Sequence, residues 1–268
     1  MEGKKRVRLI VAYDGTQYSG WQLQPNGITI EEVLNRELTR LLGEEVRVIG
    51  ASRTDAGVHA LGNVAVFDTY TRIPAEKISY ALNTRLPEDI RIQRSEEVAP
   101  DFHPRHCDSV KTYEYRIWNH SFANPLERLY SKFCYYPLDI SKMQQAAECL
   151  VGEHDFKSFC SAGSQALTTV RTITDISVDR AATEPRLVII RVSGKGFLYN
   201  MVRIISGTLL EIGMGLRQPG EMQDILLACD RSKAGPTAEP QGLRLVGIRY
   251  SDESSAGSKI PFDPSIII

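Results

Sequence analysis

The sequence predicts an α+β protein made of two βαββαβ halves, their strands joined into a mixed, mainly antiparallel sheet with helices on one side. Two observations lead there. Over the first hundred residues, apolar β-branched runs and stretches of 3.6-residue period follow the order strand, helix, strand, strand, helix, strand. The second half repeats that order less regularly, which suggests a duplicated architecture.

Val7 to Tyr13 is β-branched and apolar, the mark of a first strand. Residues 28–42 place Ile30, Val33, Leu34, Leu38, Leu41 and Leu42 on one helical face, and Thr29 with Glu32 forms a capping-box pattern at its start. Strands are expected at 46–51 and 63–69, then a helix from Pro74 to Thr84 and a strand at 90–98. This is the ferredoxin-like order. In the second half, 112–118 alternates like a strand and 141–150 reads as a helix. Residues 171–178 and 187–192 read as a strand pair, 199–211 and 219–229 as helices, and 245–250 as a closing strand. The expected divisions are 1–104, 105–251 and a flexible tail at 252–268, rich in Ser, Gly and charge. A groove between two such halves suits a long ligand.

Hydrophobic content of 42% and charged content of 24% are those of a soluble globular protein. The amino terminus has charge but no apolar h-region, and no apolar run reaches the roughly 18 residues needed to cross a bilayer. Five widely spaced cysteines point to reduced thiols and a cytoplasmic setting. A net charge of −1 argues against non-specific adhesion to nucleic acid but leaves room for a local basic groove.

The chemistry concentrates in Arg53-Thr54-Asp55-Ala56-Gly57-Val58-His59-Ala60, a turn between two apolar runs. In a generic turn such an Asp would only tie down its own backbone. Competing sites fail on their residues. His103-Pro104-Arg105-His106-Cys107 fits no zinc spacing, so no metal is expected. Gly194-Lys195-Gly196 lacks the remainder of a phosphate loop. Asp14-Gly15-Thr16 resembles the haloacid dehalogenase phosphatases but has Ala12 where that family needs its nucleophile. His59 reads as a turn or strand-start hydrogen bonder. Candidate partners for Asp55 lie elsewhere. Tyr113 and Tyr115 share one strand face, where an aromatic can stack on a nucleobase. Arg203 sits among Met201, Val202, Ile204 and Ile205, where a charge needs a carboxylate partner, and Asp55 is the candidate.

Taken together, the chain resembles the TruA family of transfer RNA pseudouridine synthases from about residue 6 to 250. The resemblance rests on Tyr13-Asp14-Gly15-Thr16 with Gly20-Trp21-Gln22, on Ser52 through Ala60, on Ala81-Leu82-Asn83 with Leu86-Pro87, and on Phe102-His103-Pro104-Arg105. It continues through Lys111-Thr112-Tyr113, Gly196-Phe197-Leu198-Tyr199-Asn200-Met201-Val202-Arg203 and Ala234-Gly235-Pro236-Thr237-Ala238. Ser52 and Glu239 stand where many members have Gly and Pro. The resemblance implies the pseudouridine synthase fold and an isomerase that converts uridine to pseudouridine at positions 38, 39 and 40 of the tRNA anticodon stem-loop. Asp55 would be its catalytic aspartate, Tyr113 a contact to the target base, Arg203 the partner of the aspartate, and Arg53 the residue that extrudes the nucleotide. It further implies a homodimer with no cofactor and no metal. An alternative from another class is a catalytically silent RNA-binding module, which would have no need of Asp55.

Overall fold

In the computed structural model, which describes residues 3–251, the first apolar run becomes a strand with two distinct faces. β1 (Lys5–Tyr13) buries Val7, Leu9, Val11 and Tyr13. Arg6 and Arg8 lie on its other face. There Arg6 pairs with Asp68 at 2.7 Å and Arg8 with Glu96 at 2.6 Å, each partner directly across the ladder.

α1 (Ile30–Leu42) starts where the Thr29 hydroxyl accepts the Glu32 N–H and stops at Gly43, whose positive φ of 70° closes the last turn. Its buried stripe is Ile30, Val33, Leu34 and Leu38. The expected strand at 46–51 contracts to β2 (Ile49–Gly50). The cause is local: Thr39 and Asn35 of α1 accept the N–H groups of Val46 and Val48, so those donors never reach a neighbouring strand. β3 (His59–Thr69) begins four residues before the expected position, with His59 as its first residue. α2 (Ala75–Asn83) follows Pro74, and β4 (Ile90–Val98) closes the order. β1 lies between β4 and β3, antiparallel to both, and β2 pairs antiparallel with the far side of β3.

Five strands and three helices fill the following stretch. β5 (Ser109–Asn119) pairs antiparallel with β9 (Glu184–Gly194), which forms a tight hairpin with β8 (Val170–Ala181). β6 (Lys132–Cys134) runs parallel to β5, and β7 (Gly152–Asp155) adds to β8. Neither β6 nor β7 was expected, because three or four residues carry no readable period. α3 (Ile140–Ala147), α4 (Met201–Gly213) and α5 (Glu221–Ala228) supply Met143, Ile204, Ile205, Leu209 and Met222 to this core. The expected helix at 199–211 starts two residues late because Asn200 takes a left-handed conformation, φ 60°, which Asn tolerates better than most residues.

β10 (Leu243–Tyr250) is the last strand of the described residues. The chain divides into two compact units, one running to Ser109 and regaining the chain at Leu245, the other Val110–Arg244. The closing strand therefore groups with the first unit, beside β3, where the short β2 leaves most of that edge unpaired. Tyr250 packs with Ala51 and Val64 there, against Ile10, Phe102, Cys107 and Ile248. With helices and a mixed, mainly antiparallel set of strands, the class is α+β. The tail expected at 252–268 lies outside the described residues.

Candidate active site

Asp55 stands on a loop held from below by a second loop. Residues 14–21 leave β1 and run beneath 52–58. Trp21 donates its N–H to the Thr54 carbonyl at 3.0 Å, and Gly57 donates to the Tyr18 carbonyl at 3.3 Å. The approach is so close that side chains are excluded. A Cβ on Gly20, whose φ is 88°, would sit 2.6 Å from the Thr54 oxygen, and one on Gly15 would sit 2.0 Å from the Val58 oxygen. The lower loop is itself anchored. The Tyr18 hydroxyl donates to Asp89 at 2.7 Å, and burial together with that carboxylate raises the phenol, which keeps it a donor.

Asp14 accepts both the N–H and the hydroxyl of Thr16, so it caps a turn. His59 is buried, and its Nδ1 lies 3.1 Å from both Gly15 N and Asp14 Oδ1. As acceptor from the first or as donor to the second, it ties the 14–16 turn to the start of β3. Asp55 is half-buried and Arg53 is exposed, while Ser52, Thr54 and Val58 are buried. The backbone of the turn closes through Val58 N–H to the Asp55 carbonyl at 3.1 Å. A partly exposed carboxylate on such a braced loop can attack carbon or take a proton, because its position is fixed by groups that do not react.

Tyr113 and Arg203 belong to the second unit. Tyr113 and Tyr115 share one face of β5 and have different surroundings. Tyr115 is fully buried, with its hydroxyl on the Glu239 carbonyl at 2.9 Å, while Tyr113 meets Phe197 edge-on at 5.1 Å between ring centroids. Arg203, in the first turn of α4, donates Nε to the Ala238 carbonyl at 2.7 Å and Nη1 to Asn200 Oδ1 at 2.8 Å. The left-handed Asn200 therefore aims the guanidinium as well as opening the helix. Asp55 and Arg53 share one loop; Tyr113 and Arg203 come from a strand and a helix of the other unit.

Several residues that shape the site escaped the sequence reading. Tyr13, Asn63 and Thr54 form a buried hydrogen-bonded group under Asp55. One signal was available: Asn63 is an amide opening the apolar run Val64-Ala65-Val66-Phe67. Among the described residues, no cluster of three or more His, Cys, Asp or Glu side chains is placed to hold a metal ion. All five cysteines are free thiols, and no described helix is long and apolar enough to cross a membrane.

The braced loop between β2 and β3 that carries Arg53 and Asp55 lies within a family signature covering most of the chain. The family model for tRNA pseudouridine synthase matches residues 9–106 and 146–251, and the chain belongs to this family. Among individual relatives, it is 48% identical over 246 residues to tRNA pseudouridine synthase A of Brevibacillus brevis and 47% identical over 246 residues to that of Thermoanaerobacter pseudethanolicus. Both alignments cover 92% of this chain and 100% of the relative. It is also 48% identical to tRNA pseudouridine synthase A 2 of Clostridium tetani over 249 residues, which cover 92% of this chain and 99% of that one.

Proposed function

We propose that the protein isomerises uridine to pseudouridine at positions 38, 39 and 40 of the tRNA anticodon stem-loop, with Asp55 as the catalytic carboxylate. The observation that carries this reading is the full-length relation to tRNA pseudouridine synthases, together with the bracing of the loop that bears Asp55.

The reaction breaks N1–C1′, turns the uracil and joins C5 to C1′; the proton leaving C5 is balanced by one gained at N1. Substrate and product are isomers, so no oxidant or energy source enters. Three steps are open to the carboxylate: addition to uracil C6, attack on the sugar at C1′, or removal of a proton at C2′. Each begins from the ionised form, which Arg203 as ion-pair partner would hold in place of water. The uridine must first leave the stem, at a cost of a few kcal/mol. Arg53, exposed on the same loop, fills the gap it leaves. Tyr113 packs against the extruded base.

The order β4-β1-β3-β2 supports reading the N-terminal half, 1–104, as a ferredoxin-like unit. The second half, expected as 105–251, is read as its duplicate less the closing strand, which groups with the first unit. We further propose that the protein acts on tRNA in the cytoplasm as a homodimer and without a cofactor; sedimentation of the purified protein tests the dimer. The deciding experiment is tritium release from C5-labelled uridine in tRNA. Asp55→Asn is expected to abolish release while tRNA binding persists; release by that variant would overturn the role of Asp55.

A further inference from the structure

We infer that Asn63, Tyr13 and Thr54 are positioning residues that set where the Asp55 carboxylate stands during the reaction. The inference rests on the reading of Asp55 as the catalytic group and goes beyond it by naming what fixes that group in space.

The pairing of β2 with β3 runs through Gly50 opposite Ala65, followed by the Ala51 N–H on the Val64 carbonyl at 2.7 Å. Past that point a side chain takes over from the backbone. Asn63 Oδ1 accepts the Ser52 N–H at 3.2 Å and the Val64 N–H at 2.9 Å. Its Nδ2 donates to the Ser52 carbonyl at 3.0 Å and to the Tyr13 hydroxyl at 3.4 Å. Both acceptor sites and both hydrogens of this wholly buried amide are used. Ser52 is gripped by its N–H and its C=O together, as a strand neighbour would grip it, so the ladder extends one residue into the loop. Two residues on, the Tyr13 hydroxyl meets Thr54 Oγ1 at 2.7 Å. Tyr13 is the last residue of β1, and its ladder partner is Ala60 of β3.

The consequence follows from the two-residue period of an extended chain. Ser52 and Thr54 are 3% and 7% exposed, while the alternating residues Arg53 and Asp55 are exposed and half-buried. Pinning 52 and 54 on the inner side therefore aims 53 and 55 outward, and places them relative to β1 and β3, the centre of the first unit's sheet. The three side chains are uncharged at neutral pH, so their effect is on position and not on the charge of Asp55. A misplacement of about 1 Å costs an enzyme about 10²-fold in rate.

The test compares Tyr13→Phe, Thr54→Val, Thr54→Ser and Asn63→Asp with the parent and with Asp55→Asn, by steady-state pseudouridine formation on tRNA per folded molecule, counted by circular dichroism. Tyr13→Phe and Thr54→Val are expected to lower kcat about 10-fold or more, with KM for tRNA and the shape of the pH profile unchanged. Thr54→Ser, which restores the hydroxyl, should recover most of the loss seen in Thr54→Val. Asn63→Asp keeps the shape of the side chain but cannot donate to Ser52, and should lose about 10²-fold. If it does not fold, Tyr13→Phe, which keeps the ring, decides alone. A kcat for Tyr13→Phe and Thr54→Val within about twofold of the parent, or a loss appearing in KM, overturns the inference. Activity in Asp55→Asn would instead remove the reading beneath it. An inactive Asp55→Asn beside fully active Tyr13→Phe and Thr54→Val removes the positioning role alone.

Discussion

Glu114 shows how much one side chain of this protein can carry. It is 2% exposed, and its carboxylate lies between the guanidiniums of Arg191 and Arg244, the latter at 2.5 Å. Burial favours the neutral acid, but the two arginines, Arg244 foremost, outweigh it and hold the carboxyl below the usual range. Its folded value lies below its unfolded value, so the stability it contributes is complete above the ordinary Glu value of about 4.3 and is lost as pH falls through the lower folded value. Melting temperatures of the parent should therefore fall with acidification below about pH 4.3, and those of Glu114→Gln should fall less steeply. At neutral pH, Glu114→Ala should cost about 1.5–3 kcal/mol, measured by urea unfolding, because it removes the charge-assisted bonds to the partly buried Arg244, whereas the half-exposed Arg191 is solvated by water. None of this was legible in the sequence. A Glu in the alternating run 112–118 looks like an outward-facing strand residue. Asp55 was legible, because its neighbours Arg53, Gly57 and His59 mark the turn without help from elsewhere.

At the level of elements, the amphipathic helices were readable and the short strands were not. α1 shows itself through Thr29, a clear apolar stripe and Gly43, all within one window of sequence. Thr29→Ala should remove the bond to the Glu32 N–H at a cost of about 1 kcal/mol, seen as a drop of about 2–4 °C in melting temperature with activity kept. The loop pair 14–21 and 52–58 behaves as one element, and with Asp55 as the proposed catalytic group it bears on turnover. Gly20→Ala should reduce kcat by about 10²-fold, since the added methyl would push on the Thr54 carbonyl next to Asp55. Rates measured beside melting curves would show the loss in turnover outrunning the loss in stability. β2 was overestimated for a reason that lies outside it: Val46 and Val48 have strand-like side chains, but Asn35 and Thr39 of α1 claim their N–H groups.

Across the whole molecule, the chain returns at its end to the unit it began in. Tyr250 is 3% exposed, meets Phe102 edge-on at 5.1 Å and donates its hydroxyl to the Pro104 carbonyl at 2.9 Å. Tyr250→Ala should cost about 3–5 kcal/mol, and Tyr250→Phe about 1 kcal/mol. Hydrogen exchange should locate the loosening of Tyr250→Ala in the first unit, around 101–108 and β3, although the substitution lies more than a hundred residues further along the chain. Uniform loosening of both units would contradict that placement.

By itself the sequence determined the α+β class, the helices, the family and the turn bearing Asp55, because period, capping and motif are all written within a few consecutive residues. The tertiary structure alone decided that β10 closes the first unit, that β6 and β7 exist, and that Asn63 and Tyr13 grip the loop from below. The hydrogen bonds from Tyr13 to Thr54 and Asn63 join residues 41 and 50 positions apart, β10 comes back to β3 from much further along the chain, and register across such distances is set by which strands have edges to pair.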